Sequence, residues 1–481
     1  MTTPPRPAGV LARAGLPAAE AAAWIAEAAG WTAAAPERGG SGGFPAAGAS
    51  LSWFLGQGLA LRQRLPARGH STAAEQEARD TIGALLHEAR EMFLRAHTAD
   101  LYDVLTSGYT QPLRVAELLA GAAARIPGLV PSPAELAAER DLALPDKDGI
   151  ELAQGLLVAH VLALPGPGRH LIGAMLRPLP EAIDRLPALR ATGTADLGPV
   201  RLTRQGRAGL LELRNPRHLN AEDDLTLGPT ECAVDLILLD PAIEVGVIRG
   251  GVVDHPRYPG VRVFGSGLNL TRLYQGRIGY LFYLDRDLGY VHKIFRGLSQ
   301  QPTDAGATSG PAGPLAPVTE KLWIAAVERF AVGGACQLLH VVDHVIATSG
   351  SRLFLPARRE GIIPGASNLR LPRFVGDRAA RQAILSGRQW TAGEPDAAML
   401  CDEVVPEEGM DTALAARIEA LTSSGLVNAA ANRRALRAGA EPLDVFREYM
   451  ATFALEQARC HLSPALVANL EEHWQAAGRG S

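Results

Sequence analysis

No apolar run in the 481-residue chain approaches the roughly 18 residues a membrane-spanning helix requires. Even GLLVAHVLALPG is broken at Pro165, so no transmembrane helix is expected. Cysteine is scarce. Cys232, Cys336, Cys401 and Cys460 stand far apart with no CxxC pair, which excludes zinc-ribbon spacing and points to reduced thiols in a cytoplasmic protein. An excess of either charge is missing too: 47 Lys and Arg against 51 Asp and Glu leave a net charge of -4, so neither nucleic acid nor an anionic membrane is an expected partner. The start, MTTPPRPAG, has no apolar h-region, and no secretory leader is expected. What is present, 47% hydrophobic and 20% charged residues, is globular material for two or three domains.

Residues 1–195 are rich in Ala, Leu, Glu and Arg and read as an α-helical N-terminal domain. In TAAEQEARDTIGALLHEAREMFLRAHTADLYDVLT the apolar residues recur at three- and four-residue spacing, predicting one long amphipathic helix. GGSGG at 39–43 reads as a flexible connector, since it lacks the strand–turn–helix setting of a dinucleotide loop. From about 196 strands alternate with helices: GLLELR, a helix over 221–240, VGVIRG, VRVFGSG continuing the sheet, LWIAAV, a helix from Gly333, and HVIAT. That alternation predicts an α/β core over 196–406 with mostly parallel pairing. QPTDAGATSGPAGPLAP, from Gln301, reads as a low-complexity loop, and 407–481 as a helical C-terminal segment.

GGACQLLHVVDH, Gly333 to His344, admits two readings. His340 and His344, four apart on a helix, could share a face and bind a metal; alternatively the glycines could leave backbone N–H groups free for a ligand. Two imidazoles alone do not make a metal site, and no third ligand is near in sequence, so structural histidines and no metal are expected.

RNPRHLNAEDD, VFGSGLNL, LWIAAVERFAVGGACQLLHVVDHVIAT, EGIIPGASNLRLPRFVGDRAARQAILSGRQWTAGE and CDEVV occur in the order and near-spacing of the crotonase (enoyl-CoA hydratase/isomerase) superfamily, which the chain resembles over residues 200–406. The resemblance implies a spiral of ββα repeats that binds an acyl-CoA thioester. It also implies two backbone N–H groups, from Leu268 and Gly334, that grip the thioester oxygen as an enolate forms. Each such donor is worth about 3 kcal/mol in a dry site. Gly333 and Gly334 could instead serve only close helix–strand packing. Hydratases of the superfamily use two glutamates; this chain has Gln337 and Ala357 at those positions, and neither an amide nor a methyl can accept a proton from water.

The long helical N-terminal region, the insertion GVVDHPRYPGVR and LGYVHKIFRGL resemble one branch, the arylacetyl-CoA 1,2-dioxygenases of dihydroxyphenylglycine and glycopeptide-antibiotic biosynthesis. That resemblance implies an oxidoreductase with no metal and no organic cofactor, arylacetyl-CoA as substrate and O2 as co-substrate. It implies a homo-oligomer, a trimer or a hexamer. In the matching register Glu222, Arg286 and Gln337 orient the phenolic ring. Ser266, Gly333 and Asn269 line the substrate, and Leu268, Ile362, Ile363 and Ala366 form apolar walls. Arg217, His255 and Arg257 contact CoA. Alternatives stay open at this point: Glu222 as a helix N-terminal charge, Gln337 as an ordinary polar helix residue, and the three basic side chains as solvated surface.

Two other functions remain open. Thioester hydrolysis or isomerisation would need a carboxylate, for which Glu222, Asp287 and Glu360 are candidates. A non-catalytic acyl-CoA-binding subunit would need no donors aimed at an enolate.

Overall fold

The computed structural model describes residues 7–33, 43–299, 318–423, 425–475 and 478. The segment from Gln301 lies outside the described residues, as does GGSGG apart from Gly43. The predicted long helix is present as Ala73–Leu105. Thr72 starts it: its Oγ1 accepts the Glu75 N–H while Glu75 accepts the Thr72 N–H, a reciprocal cap. Ile82, Leu86, Ala89 and Phe93 form its buried stripe.

Helix Leu152–Ala163 packs against helix Leu443–His461. A β-carbon added to Gly155 would lie 2.6 Å from Ala458 Cβ, so this close approach depends on the missing side chain. One apolar cluster joins Phe93 and Leu156 to Phe446, Met450 and Phe453, and extends to Leu268, Phe282, Tyr283 and Ala366. The helices at both ends of the chain therefore back the same wall.

Seven strands lie side by side in chain order: Thr194–Asp196, Val200–Gln205, Ala208–Leu213, Val245–Gly250, Leu322–Val327, His344–Thr348 and Glu403–Val405. The first two pairings are antiparallel and the rest parallel. Leu322–Val327 is buried at every residue, as a continuous apolar strand covered on both faces must be. A β-carbon on Gly246 of the neighbouring strand would lie 2.4 Å from the Trp323 ring, so only glycine leaves room for it. Among the described residues no helix is long and apolar enough to cross a membrane.

Three local expectations are corrected. The helix read over 221–240 begins only at Leu227. Asp223 Oδ1 accepts the N–H groups of Leu225 and Thr226, a turn that satisfies the backbone ahead of the helix. VRVFGSG does not continue the sheet as a strand. It makes isolated bridges, Arg262 to Val252 and Gly265 to Ala331, because Val263 O packs directly against Gly250, where a β-carbon would lie 1.8 Å away. HVVDH is not helical: the helix is Gly334–Leu338, and His344 opens the next strand. Asp343 accepts the Trp323 N–H at 2.8 Å and turns the chain into the sheet.

Candidate active site

Two loops meet at three glycines. Gly267 (φ +83°) precedes Leu268, and Gly333 (φ +52°) precedes the short helix that starts at Gly334. A β-carbon on Gly267 would lie 2.7 Å from Val332 O and 3.1 Å from Gly334 N, so glycine is required by both conformation and space. The Glu222 N–H donates to Gly267 O and the Asn269 N–H to Glu222 O, which pins the Leu268 backbone between them. Among the described residues, neither the Leu268 N–H nor the Gly334 N–H donates a hydrogen bond. The helix has only five residues, so its dipole is small.

Beside them lies a buried polar cluster. Arg286, on helix Leu281–Leu288, donates from Nε to Glu222 Oε2 at 2.6 Å and from Nη2 to Glu222 Oε1 at 3.1 Å. Its Nη1 donates to Gln337 Oε1 at 2.8 Å and its Nη2 also to Gly334 O at 2.7 Å. Tyr290 OH donates to Glu222 Oε1 at 2.7 Å. Burial works against the charge on Arg286, but Glu222, Tyr290 and Asp287 more than offset it, so the guanidinium is held above its ordinary value. Arg286 is thus a strut: it fixes the carboxylate of Glu222, the amide of Gln337 and the carbonyl of Gly334. Gly334 must be glycine here as well, since a β-carbon would lie 2.5 Å from Glu222 Oε2. Glu222 sits five residues ahead of its helix, so the helix N-terminal reading of its charge does not hold.

The cluster opens into a narrow cavity of about 30 Å³ walled by Leu268, Phe282, Tyr283, Ile362 and Ile363, with Gly333 and Gly334 at its rim. Ala366 is buried behind this wall and gives its N–H to Asp287 Oδ1 at 3.1 Å. Ala357 lines the cavity as well. Glu360 lines it too, and burial pushes its carboxyl up to about 7.

Leu268, Pro356 and Glu360 also line an open groove of about 570 Å³ outside the cavity. Arg217, His255 and Arg257 stand on that groove, joined by Arg329, Arg352 and Arg359. Arg217, Arg257 and Arg359 have no ion-pair partner among the described residues. Ser266 and Asn269 face the groove rather than the inner cavity. Ser266 Oγ donates to His218 O, while Asn269 Nδ2 donates to Asp223 and its Oδ1 accepts the Arg272 N–H, so both side chains are structural.

The two histidines of HVVDH part company. His340 is buried with Nδ1 3.0 Å from Ser367 Oγ, whereas His344 lies 3.8 Å from both Asp402 and Glu403. Among the described residues no group of three or more His, Cys, Asp or Glu is placed to hold a metal ion.

Residues 315–456 match the enoyl-CoA hydratase/isomerase family model. The chain is 46% identical over 399 residues to a (3,5-dihydroxyphenyl)acetyl-CoA 1,2-dioxygenase of Amycolatopsis orientalis, covering 83% of this chain and 89% of that protein. It belongs to the (3,5-dihydroxyphenyl)acetyl-CoA 1,2-dioxygenase family of the crotonase superfamily. A probable enoyl-CoA hydratase of Rhizobium meliloti is 29% identical over 214 residues, 44% of this chain and 71% of that protein. Among solved structures, an enoyl-CoA hydratase of Mycobacterium avium subsp. paratuberculosis superposes with a TM-score of 0.46 at 18% identity, over 60% of this chain and 100% of that one.

Within this dioxygenase family the site residues legible in the sequence come together in two groups. Glu222, Arg286, Gln337, Leu268, Gly333, Gly334, Ile362 and Ile363 converge on the cavity; Arg217, His255, Arg257, Ser266 and Asn269 lie on the groove. Sequence reasoning missed Tyr290, which orients Glu222, and Phe282 and Tyr283 in the wall. All three belong to the amphipathic run YLFYLDRDLGY, whose buried face also carries Arg286. It missed Arg359 on the groove as well, because an Arg-Arg pair in a loop reads as solvated surface.

Proposed function

We infer that this protein is a dioxygenase converting (3,5-dihydroxyphenyl)acetyl-CoA and O2 to 3,5-dihydroxyphenylglyoxylate and CoA, without a metal or organic cofactor. The observation that carries the reading is the Glu222–Arg286–Gln337 cluster set beside two unpaired N–H groups in a chain of this family. The thioester oxygen sits between the Leu268 and Gly334 N–H groups, which stabilise the enolate formed when an α-proton leaves. Glu222 and Gln337 engage the ring hydroxyls: the carboxylate retains acceptor capacity, and the Gln337 amide nitrogen donates to no protein group among the described residues. The basic groove holds the CoA phosphates through charge-assisted contacts.

The carbanion is itself a reductant. It passes one electron to O2 in the apolar cavity, and recombination leaves a peroxide anion on the α-carbon. The peroxide attacks the thioester carbonyl and expels CoA thiolate. Loss of the second α-hydrogen as the O–O bond breaks leaves a keto oxygen on the α-carbon and a carboxylate beside it. Walls of Leu268, Phe282, Ile362 and Ile363 limit reprotonation by water. The separation of His340 from His344 supports the cofactor-free reading.

An oxygen-independent hydrolysis or isomerisation has one feature in its favour, the free carboxyl of Glu360. Turnover of the arylacetyl-CoA with and without air separates the readings: CoA release that requires O2 is expected, while equal release under argon would replace the dioxygenase with a hydrolase. A trimeric or hexameric assembly is proposed as well, supported by Val427 and Leu436, which are 87% and 74% exposed on helix Leu426–Ala440. Light scattering measures it. A cytoplasmic location is supported by four free cysteines.

A further inference from the structure

The reaction just described removes two α-hydrogens, so the cavity needs a base that can work twice. Three carboxylates line it: Glu222, Asp287 and Glu360. Glu222 is held by three hydrogen bonds from Arg286 and Tyr290. Asp287 accepts the Ala366 N–H and lies 3.7 Å from Arg286 Nη1. Glu360 differs from both. It is only 8% exposed, yet no described group donates a hydrogen bond or an ion pair to its carboxylate.

Its position is set by the fold. The short helix Ala357–Glu360 ends at Gly361 (φ +76°), where a β-carbon would lie 2.8 Å from Asn469 Nδ2 of the C-terminal helix Pro464–Trp474. That helix covers the turn and holds Glu360 inward. Glu360 Oε1 lies 3.8 Å from a β-carbon built on Gly333, the residue before the Gly334 donor. A thioester oxygen gripped by Gly334 would have its α-carbon two bonds away, and Glu360, Leu268 and Pro356 line both the groove and the cavity beside that glycine.

We propose, resting on the dioxygenase reading, that Glu360 is the base that removes both α-hydrogens of the arylacetyl thioester. In the first transfer the carboxylate takes a proton and the C–H electron pair stays on the α-carbon as the enolate. The expelled CoA thiolate then takes that proton, which restores the carboxylate. In the second transfer Glu360 takes the remaining α-hydrogen; its C–H pair becomes the keto C=O and the O–O pair goes to the carboxylate oxygen. One CoA thiol and one proton to solvent close the balance. An acid group whose pKa lies near the working pH suits this double duty, and burial gives Glu360 that property with no charged partner to counter it. Tyr283 of helix Leu281–Leu288 faces it, Asp287 and Arg286 line the same cavity, and Arg358 and Arg359 on its own turn are exposed.

The test is α-hydrogen exchange of (3,5-dihydroxyphenyl)acetyl-CoA in D2O under argon, followed by NMR, alongside O2 uptake in air. Wild-type protein is expected to exchange. Glu360→Gln is expected to lose at least 100-fold in both exchange and O2 uptake while binding free CoA as wild type does, and Glu360→Asp to recover part of both rates. Exchange and uptake by Glu360→Gln within tenfold of wild type overturn the assignment of the base and leave the dioxygenase reading intact. A wild-type protein that neither exchanges nor consumes O2 overturns the dioxygenase reading, and this inference with it.

Discussion

Arg286 grips Glu222 with two hydrogen bonds, Nε to Oε2 at 2.6 Å and Nη2 to Oε1 at 3.1 Å, and the same guanidinium carries Gln337. One buried cation therefore sets the positions of the Glu222 carboxylate and the Gln337 amide. Glu222→Gln keeps the shape and removes the charge. A phenol that loses a charged acceptor forfeits roughly 1.5–3 kcal/mol, an interaction the unsubstituted ring never makes. The expected result is a loss in kcat/KM of about 10- to 100-fold on the dihydroxyphenyl substrate, with a much smaller loss on phenylacetyl-CoA. Equal losses on both would remove Glu222 from ring recognition.

Gln337→Glu is expected not to yield a hydratase. It places a carboxylate against Arg286, but Ala357 still lacks the second group needed to add water across an alkene. Crotonyl-CoA hydration by this variant should stay at background; substantial hydration would contradict the argument from the missing glutamates.

Legibility in the sequence followed the strength of local signals. Leu322–Val327 was readable as a strand because six apolar residues in a row are buried on both faces. The helix at Ala73 was readable from the period of its apolar residues. HVVDH misled because i, i+4 spacing fits a helix, while the tertiary bond from Asp343 to the Trp323 N–H decides for a turn into a strand. VRVFGSG alternates like a strand, but its pairing is governed by the close approach of Val263 to Gly250, which no local pattern announces. Glu360 was legible in the sequence only as one of three candidate carboxylates; its burial involves the C-terminal helix, more than a hundred residues later, which nothing in ARRE announces.

Stability should depend on pH through Glu360. Burial raises its pKa from 4.5 to about 7, so the folded chain holds the proton more tightly than the unfolded one. The protonated form contributes fully below about 4.5, and that contribution is lost as pH rises through about 7. Glu360→Gln cannot ionise. Its unfolding free energy relative to wild type should grow by on the order of 3 kcal/mol between pH 4.5 and pH 8, read from denaturant titrations. A constant difference across that range would mean that the carboxyl titrates normally.

Exhaustive chelation should leave O2 uptake unchanged, and elemental analysis of active protein should find no stoichiometric iron. His340 is committed to Ser367 and His344 faces Asp402 and Glu403 from a different element. Iron whose removal abolishes activity, with rescue when it is restored, would contradict the cofactor-free mechanism.

The central claim, that a carbanion captures O2 and keeps both of its atoms, is tested most directly by turnover of (3,5-dihydroxyphenyl)acetyl-CoA under 18O2, with mass spectrometry of the acid product. The account predicts two labelled oxygens, one in the keto group and one in the carboxylate. A product whose new oxygen comes from water, or CoA release that proceeds without O2, would contradict it.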